Sequence, residues 1–126
     1  MRFNIVAGAV YAFLAVAFGA FGAHALKDVL TEHYAKIWET GVQYQMFHAI
    51  GLIVIGILMS KSLIGPKSLL SKAGIMMFIG VILFSGSLYV LSVTQINILG
   101  AITPIGGVLF LVAWVCVILA GLKIGK

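Results

Sequence analysis

Three histidines, three acidic residues and a single cysteine are the side chains of this 126-residue chain best suited to moving protons, holding a metal or attacking a substrate. Imidazole and carboxylate are common ligands of a divalent metal and common partners in acid–base catalysis. His24 is followed one helical turn later by Asp28 and then by Glu39, and His48 follows Glu39 at a distance of nine residues. None of these spacings is HExxH. One cysteine, Cys116, excludes an internal disulfide framework and any Cys-built zinc or iron–sulfur site. The expectation is no metal and no cofactor. No Ser or Cys comes with a base and an orienting group at recognisable spacing, so no catalytic residue is assigned. Angles around a single helix set His48 and Glu39 apart, which counts against their use as an acid–base pair.

What must carry these groups follows from composition. Hydrophobic residues make up 63% of the chain and charged residues 9%, with a mean hydropathy of +1.21; a soluble domain has roughly 25% charged residues. This excludes a water-soluble enzyme domain, a disordered chain and a nucleic-acid-binding module. In a bilayer, a spanning helix needs about 20 mostly apolar residues. Charge-free runs cover residues 3–26, 40–60 and 73–122. The last is too long for one crossing, and the polar residues 94–97 divide it into 73–93 and 98–122. The sequence therefore predicts an all-α, polytopic membrane protein: a four-transmembrane-helix bundle forming one membrane domain over residues 1–126.

Four crossings put both termini and the 61–72 loop on one side. That side holds Arg2, Lys61, Lys67, Lys72, Lys123 and Lys126 and no acid, while the other holds Lys27 and Lys36 with Asp28, Glu32 and Glu39. The positive-inside rule then places both termini in the cytoplasm. Ala23-His24-Ala25 resembles a secretory cleavage site, but the first run is longer than the ~7–15 apolar residues of a signal peptide, so the first helix is expected to be retained. Between the first two spans, Leu30, Tyr34, Ile37 and Trp38 recur at helical spacing opposite Asp28, Glu32 and Lys36. This predicts a short interfacial amphipathic helix over 28–39. Gly65-Pro66 and three lysines give the 61–72 loop turn chemistry and a charge suited to anionic lipid.

Helices in lipid pack through small residues. Gly8, Ala12, Ala15, Gly19 and Gly22 form such a seam in the first span, where Gly19→Leu should disrupt packing. The polar residues fall at one depth. His24, Glu39, Gln43, Tyr44, His48, Ser85, Ser87, Tyr89 and Thr103 all lie in the outer half of their spans, whereas the inner halves are apolar apart from Asn4. These nine residues are the candidates for a pocket opening towards the outside. On the second helix they cannot all share one wall, so either two interfaces are polar or one face addresses a partner subunit. Pro104 is a local cause of irregularity in the fourth span.

Four segments carry a resemblance to a known family: Gly19-Ala20-Phe21-Gly22-Ala23-His24-Ala25-Leu26, the stretch from Trp38 to Ala49, Phe84-Ser85-Gly86-Ser87-Leu88-Tyr89, and Ile102-Thr103-Pro104-Ile105-Gly106-Gly107. Together they resemble domain of unknown function 423, which is similar to the eukaryotic transmembrane protein 256. The resemblance spans essentially the whole chain. It implies a four-helix protein of the bacterial cytoplasmic, or inner, membrane, and it brings no substrate or reaction.

The leading functional expectation is binding or transport of a small molecule, ion or lipid through the outer-half pocket, in a homo-oligomer within the lipid bilayer. The alternative is a structural or assembly subunit of a membrane complex, and the third reading is a membrane enzyme. No coupling carboxylate lies within residues 3–26, which disfavours drug–proton antiport.

Overall fold

In lipid, each backbone N–H and C=O must be satisfied within the protein, and a continuous helix does this with its own residues. A computed structural model, describing residues 1–65 and 67–124, contains four such helices: α1 (Arg2–His24), α2 (Glu32–Leu58), α3 (Ser68–Thr94) and α4 (Thr103–Leu122). A 3-10 turn, Asn97–Ala101, precedes α4. Each helix, α4 together with that turn, is long and apolar enough to cross a membrane. Two sequence-based expectations fall partly outside the described residues: the part of Pro66 in the α2–α3 turn, and the place of Lys126 among the basic residues.

The helices alternate in direction. Asn4 Nδ2 donates to Met59 Sδ at 3.1 Å, joining the start of α1 to the end of α2. At the other end, Trp38 Nε1 donates to Phe18 O at 2.9 Å, and the Ser87 and Thr103 hydroxyls meet at 2.6 Å. The end bearing the N-terminus, the α2–α3 connection and the close of α4 is here called the terminal end. The other, with the α1–α2 and α3–α4 connections, is the distal end. α2 packs against both α1 and α3, and α3 also against α4.

No interfacial helix lies between the first two spans, which corrects the expectation for residues 28–39. Residues 25–30 turn, Thr31 caps α2 by accepting a hydrogen bond from the Tyr34 N–H at 3.4 Å, and the helix then runs unbroken for 27 residues. At 1.5 Å per residue α2 is about 40 Å long against a hydrocarbon core of ~30 Å. Its first turns, carrying Glu32 and Lys36 as an exposed i,i+4 pair at 3.9 Å, extend the span rather than lie across its end. The apolar stripe is used differently too. Trp38 is buried against Phe18 and Tyr89, and the Tyr34 hydroxyl reaches Asn97 Oδ1 at 2.9 Å. Nothing between Thr31 and Gly41 interrupts the helix, so once capped it propagates.

Pro104 occupies one of the first two positions of α4, where its missing N–H and fixed φ suit a helix start, so it begins that helix instead of kinking it. α3 ends on Gln95, left-handed at φ 59°, and Gly65 takes φ 88° in the α2–α3 connection. Small and aliphatic side chains fill the centre: Ala49, Leu52 and Ile55 of α2, Ala73 and Met77 of α3, and Ala113 of α4. Large apolar residues such as Phe13 (74% exposed) and Leu111 (69%) point outwards, as lipid-facing positions do. The small-residue seam of α1 faces α2, but unevenly. Gly8 sits directly on the Ala49 carbonyl, whereas a Cβ at Gly19 would meet Val42 at an ordinary 3.4 Å.

Candidate functional site

The nine candidate residues divide among three places. The first is a sealed set of interhelical hydrogen bonds. Tyr11 donates to Phe78 O at 2.8 Å, Gln45 Nε2 donates to Tyr11 O at 2.8 Å, and the Tyr89 hydroxyl donates to Gln45 Oε1 at 2.6 Å. Alongside, the Ser85 hydroxyl, wholly buried, donates to Gly41 O at 2.7 Å. Glycine at position 41 admits this approach, since a Cβ there would strike the Tyr89 ring. α1, α2 and α3 are thus stitched together by groups whose polar atoms are consumed by one another. Ser87 and Thr103 do the same between α3 and α4.

The second place is the opposite flank of α2. Trp114 Nε1 of α4 lies 3.0 Å from His48 Nε2, and His48 Nδ1 lies 2.8 Å from Tyr44 O. An indole nitrogen only donates, so Nε2 is the acceptor and the ring proton of a neutral imidazole sits on Nδ1, which donates to the carbonyl. The His48 ring stacks on Phe110 with centroids 3.6 Å apart and planes 7° apart. In this arrangement neither nitrogen is left for a metal or for proton transfer. In front of the pair opens a groove of about 690 Å³, walled by Phe47, Phe84, Phe110 and Trp114, with Gln43 and Tyr44 at its distal side. Along α4 it runs from Pro104 to Trp114, about 15 Å, or half the hydrocarbon thickness.

The third place is a distal groove of about 650 Å³ between α1 and α2, where His24, Lys27 and Glu39 surround Trp38. Glu39 is exposed and accepts a long 3.4 Å hydrogen bond from Gln43 Nε2. Glu39 and His48 line different grooves, so the arrangement offers no acid–base pair. Among the described residues no three His, Cys, Asp or Glu side chains gather closely enough to hold a metal. No buried side-chain nitrogen or oxygen among them lacks a hydrogen-bond partner.

Residue spacing singles out neither Tyr11 nor Trp114, although both supply polar links inside the bundle. A signal was present, because an indole or phenol at mid-span in an apolar helix needs an acceptor, and in lipid only another helix supplies one.

Four spanning helices whose polar groups are paired inside and whose apolar residues face outwards define a multi-pass membrane protein. The family described as "Protein of unknown function (DUF423)" matches residues 18–107. The UPF0382 membrane protein YwdK of Bacillus subtilis (strain 168) is 53% identical over 124 residues, covering 98% of both chains. A UPF0382 membrane protein of Staphylococcus epidermidis (strain ATCC 12228 / FDA PCI 1200) is 49% identical over 123 residues, again with 98% of both covered. The chain belongs to the DUF423 family, and it resides in a lipid bilayer. No solved structure matches it significantly.

Proposed function

We propose that this membrane protein binds a long-chain amphiphile, with the hydrocarbon tail in the groove between α2 and α4 and the polar head at its distal rim beside Gln43 and Tyr44. One observation carries the reading: the groove is aromatic-walled, of about 690 Å³, and backed by a His48–Trp114 pair that has already satisfied its own hydrogen-bonding groups. Its volume lies within the ~300–1,000 Å³ of small-molecule sites, and such walls suit a tail better than an ion. The chain acts as a single membrane domain in this reading. Its termini face the cytoplasm, since Arg2, Lys61, Lys67, Lys72 and Lys123 lie at the terminal end and all three acids at the distal end.

The test is photocrosslinking in nanodiscs with a phospholipid carrying a diazirine in its acyl chain. Tail adducts are expected on Phe47 or Trp114. Gly107→Leu should reduce them about tenfold, because its side chain would enter the groove where only the Phe84 ring stands nearby, at 3.8 Å from a Cβ. Equal labelling of the variant would remove the reading. A second reading, a subunit that assembles with another membrane protein or with copies of itself, is favoured by the internal satisfaction of Gln45, Ser85 and Tyr89, which leaves those groups no ligand to hold. A stoichiometric protein adduct in the groove, with no lipid adduct, would select it.

A further inference from the structure

At the terminal end a second groove, about 540 Å³, lies between the start of α3 and the close of α4. Leu69, Ala120 and Ile124 contribute apolar surface to it, while Lys67, just before α3, and Lys123, just after α4, line it with two basic side chains. Both lysines are exposed, and the only ion pair among the described residues joins Lys36 to Glu32 at the distal end. The surroundings sharpen this imbalance: Arg2, Lys61 and Lys72 share the terminal end, and every acid of the chain, Asp28, Glu32 and Glu39, is in or next to the distal turns.

A lysine at a helix end in a bilayer stands in the headgroup layer, its methylene stem along apolar surface and its charge towards water. The abundant anion at that depth is a phospholipid phosphate. Two cations over an apolar floor match a molecule that is anionic at its head and hydrocarbon directly below it. A free anion would use the lysines and leave the floor uncovered, and a zwitterionic lipid would bring a cation of its own among five basic residues.

We propose that the groove formed by Lys67 and Lys123 over Leu69, Ala120 and Ile124 is a binding site for an anionic phospholipid of the terminal-side leaflet. The lipid phosphate lies between the two ammonium groups and an acyl chain covers the apolar floor. The site is separate from the α2–α4 groove in residues and in membrane depth, so neither depends on the other.

Native mass spectrometry of the full chain, released from phosphatidylcholine nanodiscs containing phosphatidylglycerol, reads the proposal. The wild type is expected to retain one phosphatidylglycerol in preference to phosphatidylcholine. Lys67→Gln with Lys123→Gln should lower that retention about thirtyfold, in keeping with lysine's typical contribution at an anionic surface. Lys61→Gln with Lys72→Gln removes the same charge from the same end and should retain the lipid within about twofold. Equal loss in the two double variants would mean a diffuse basic surface and would overturn the site, as would unchanged retention in both. Competition with glycerol phosphate supplies a check on the unsubstituted protein. Failure to displace the lipid supports a site that needs the tail, and full displacement at matched concentration overturns it in favour of a simple anion site.

Discussion

On the side of α2 that meets α1 and α3, Gly41 and Gln45 receive Ser85 and Tyr89 and reach Tyr11, and the helices close over them. On the side that meets α4, His48 receives Trp114 just as specifically, yet a groove stands open in front of the pair. Hydrogen bonding is complete in both regions, so it does not separate a sealed interface from a candidate site. Backbone approach does. At Gly8 a Cβ would lie 2.6 Å from the Ala49 carbonyl oxygen, which reports how closely α1 lies on α2. Beside the groove, bulky rings hold the outer surfaces of α2 and α4 apart, and Gly107 has free space where a side chain could stand.

The largest effect expected from this contrast is at the tight interface. Gly8→Leu must part α1 from α2 and should cost about 3 kcal/mol, read as a lowered unfolding midpoint in detergent. A midpoint equal to the wild type would erase the distinction between the two flanks.

Neighbouring glycines of α4 sharpen it next. A Cβ at Gly106 would lie 2.5 Å from Phe84 N and 2.9 Å from Gly80 O, so Gly106→Ala should destabilise by about 2 kcal/mol. Gly107→Ala faces only the edge of the Phe84 ring and should stay within about 0.5 kcal/mol of the wild type. Equal costs at the two positions would contradict the placement of the groove.

The smallest differences concern the polar links themselves. Gln45→Leu removes two interhelical hydrogen bonds and is expected to cost about 1–2 kcal/mol, whereas Trp114→Phe removes one and should cost about 0.6 kcal/mol. Trp114→Phe should also shift the ¹⁵N resonance of His48 Nε2, which loses its donor. An unmoved resonance would mean that the tautomer drawn for His48 is wrong.

Hydropathy exposed the four long apolar helices because lipid leaves a spanning backbone few alternatives, and most of the basic residues, though not Lys27 and Lys36, could be assigned to one end because charge is read along the chain. The stretch from Asp28 to Glu39 was less transparent. An amphipathic period looks the same whether a helix lies along the membrane surface or stands out from it, and the burial of Trp38 between Phe18 and Tyr89 decides between them here. The positions of the polar residues along their helices are legible in the sequence, but their division among a sealed network, an aromatic groove and a distal cleft is not. Helical angles put Gln45 and His48, three residues apart, on neighbouring parts of one side of α2, and only packing sends the first to Tyr11 and Tyr89 and the second to Trp114.

The sequence by itself determined that this is a four-helix membrane protein with its acids gathered towards one end, since both properties arise from local solvation and from charge counted along the chain. Only the tertiary structure decided that α2 absorbs the amphipathic segment, that Tyr11, Gln45 and Tyr89 form one network, and that His48 answers to Trp114. Those outcomes depend on which helix faces which. Partners such as His48 and Trp114, 66 residues apart, meet only when the helices pack.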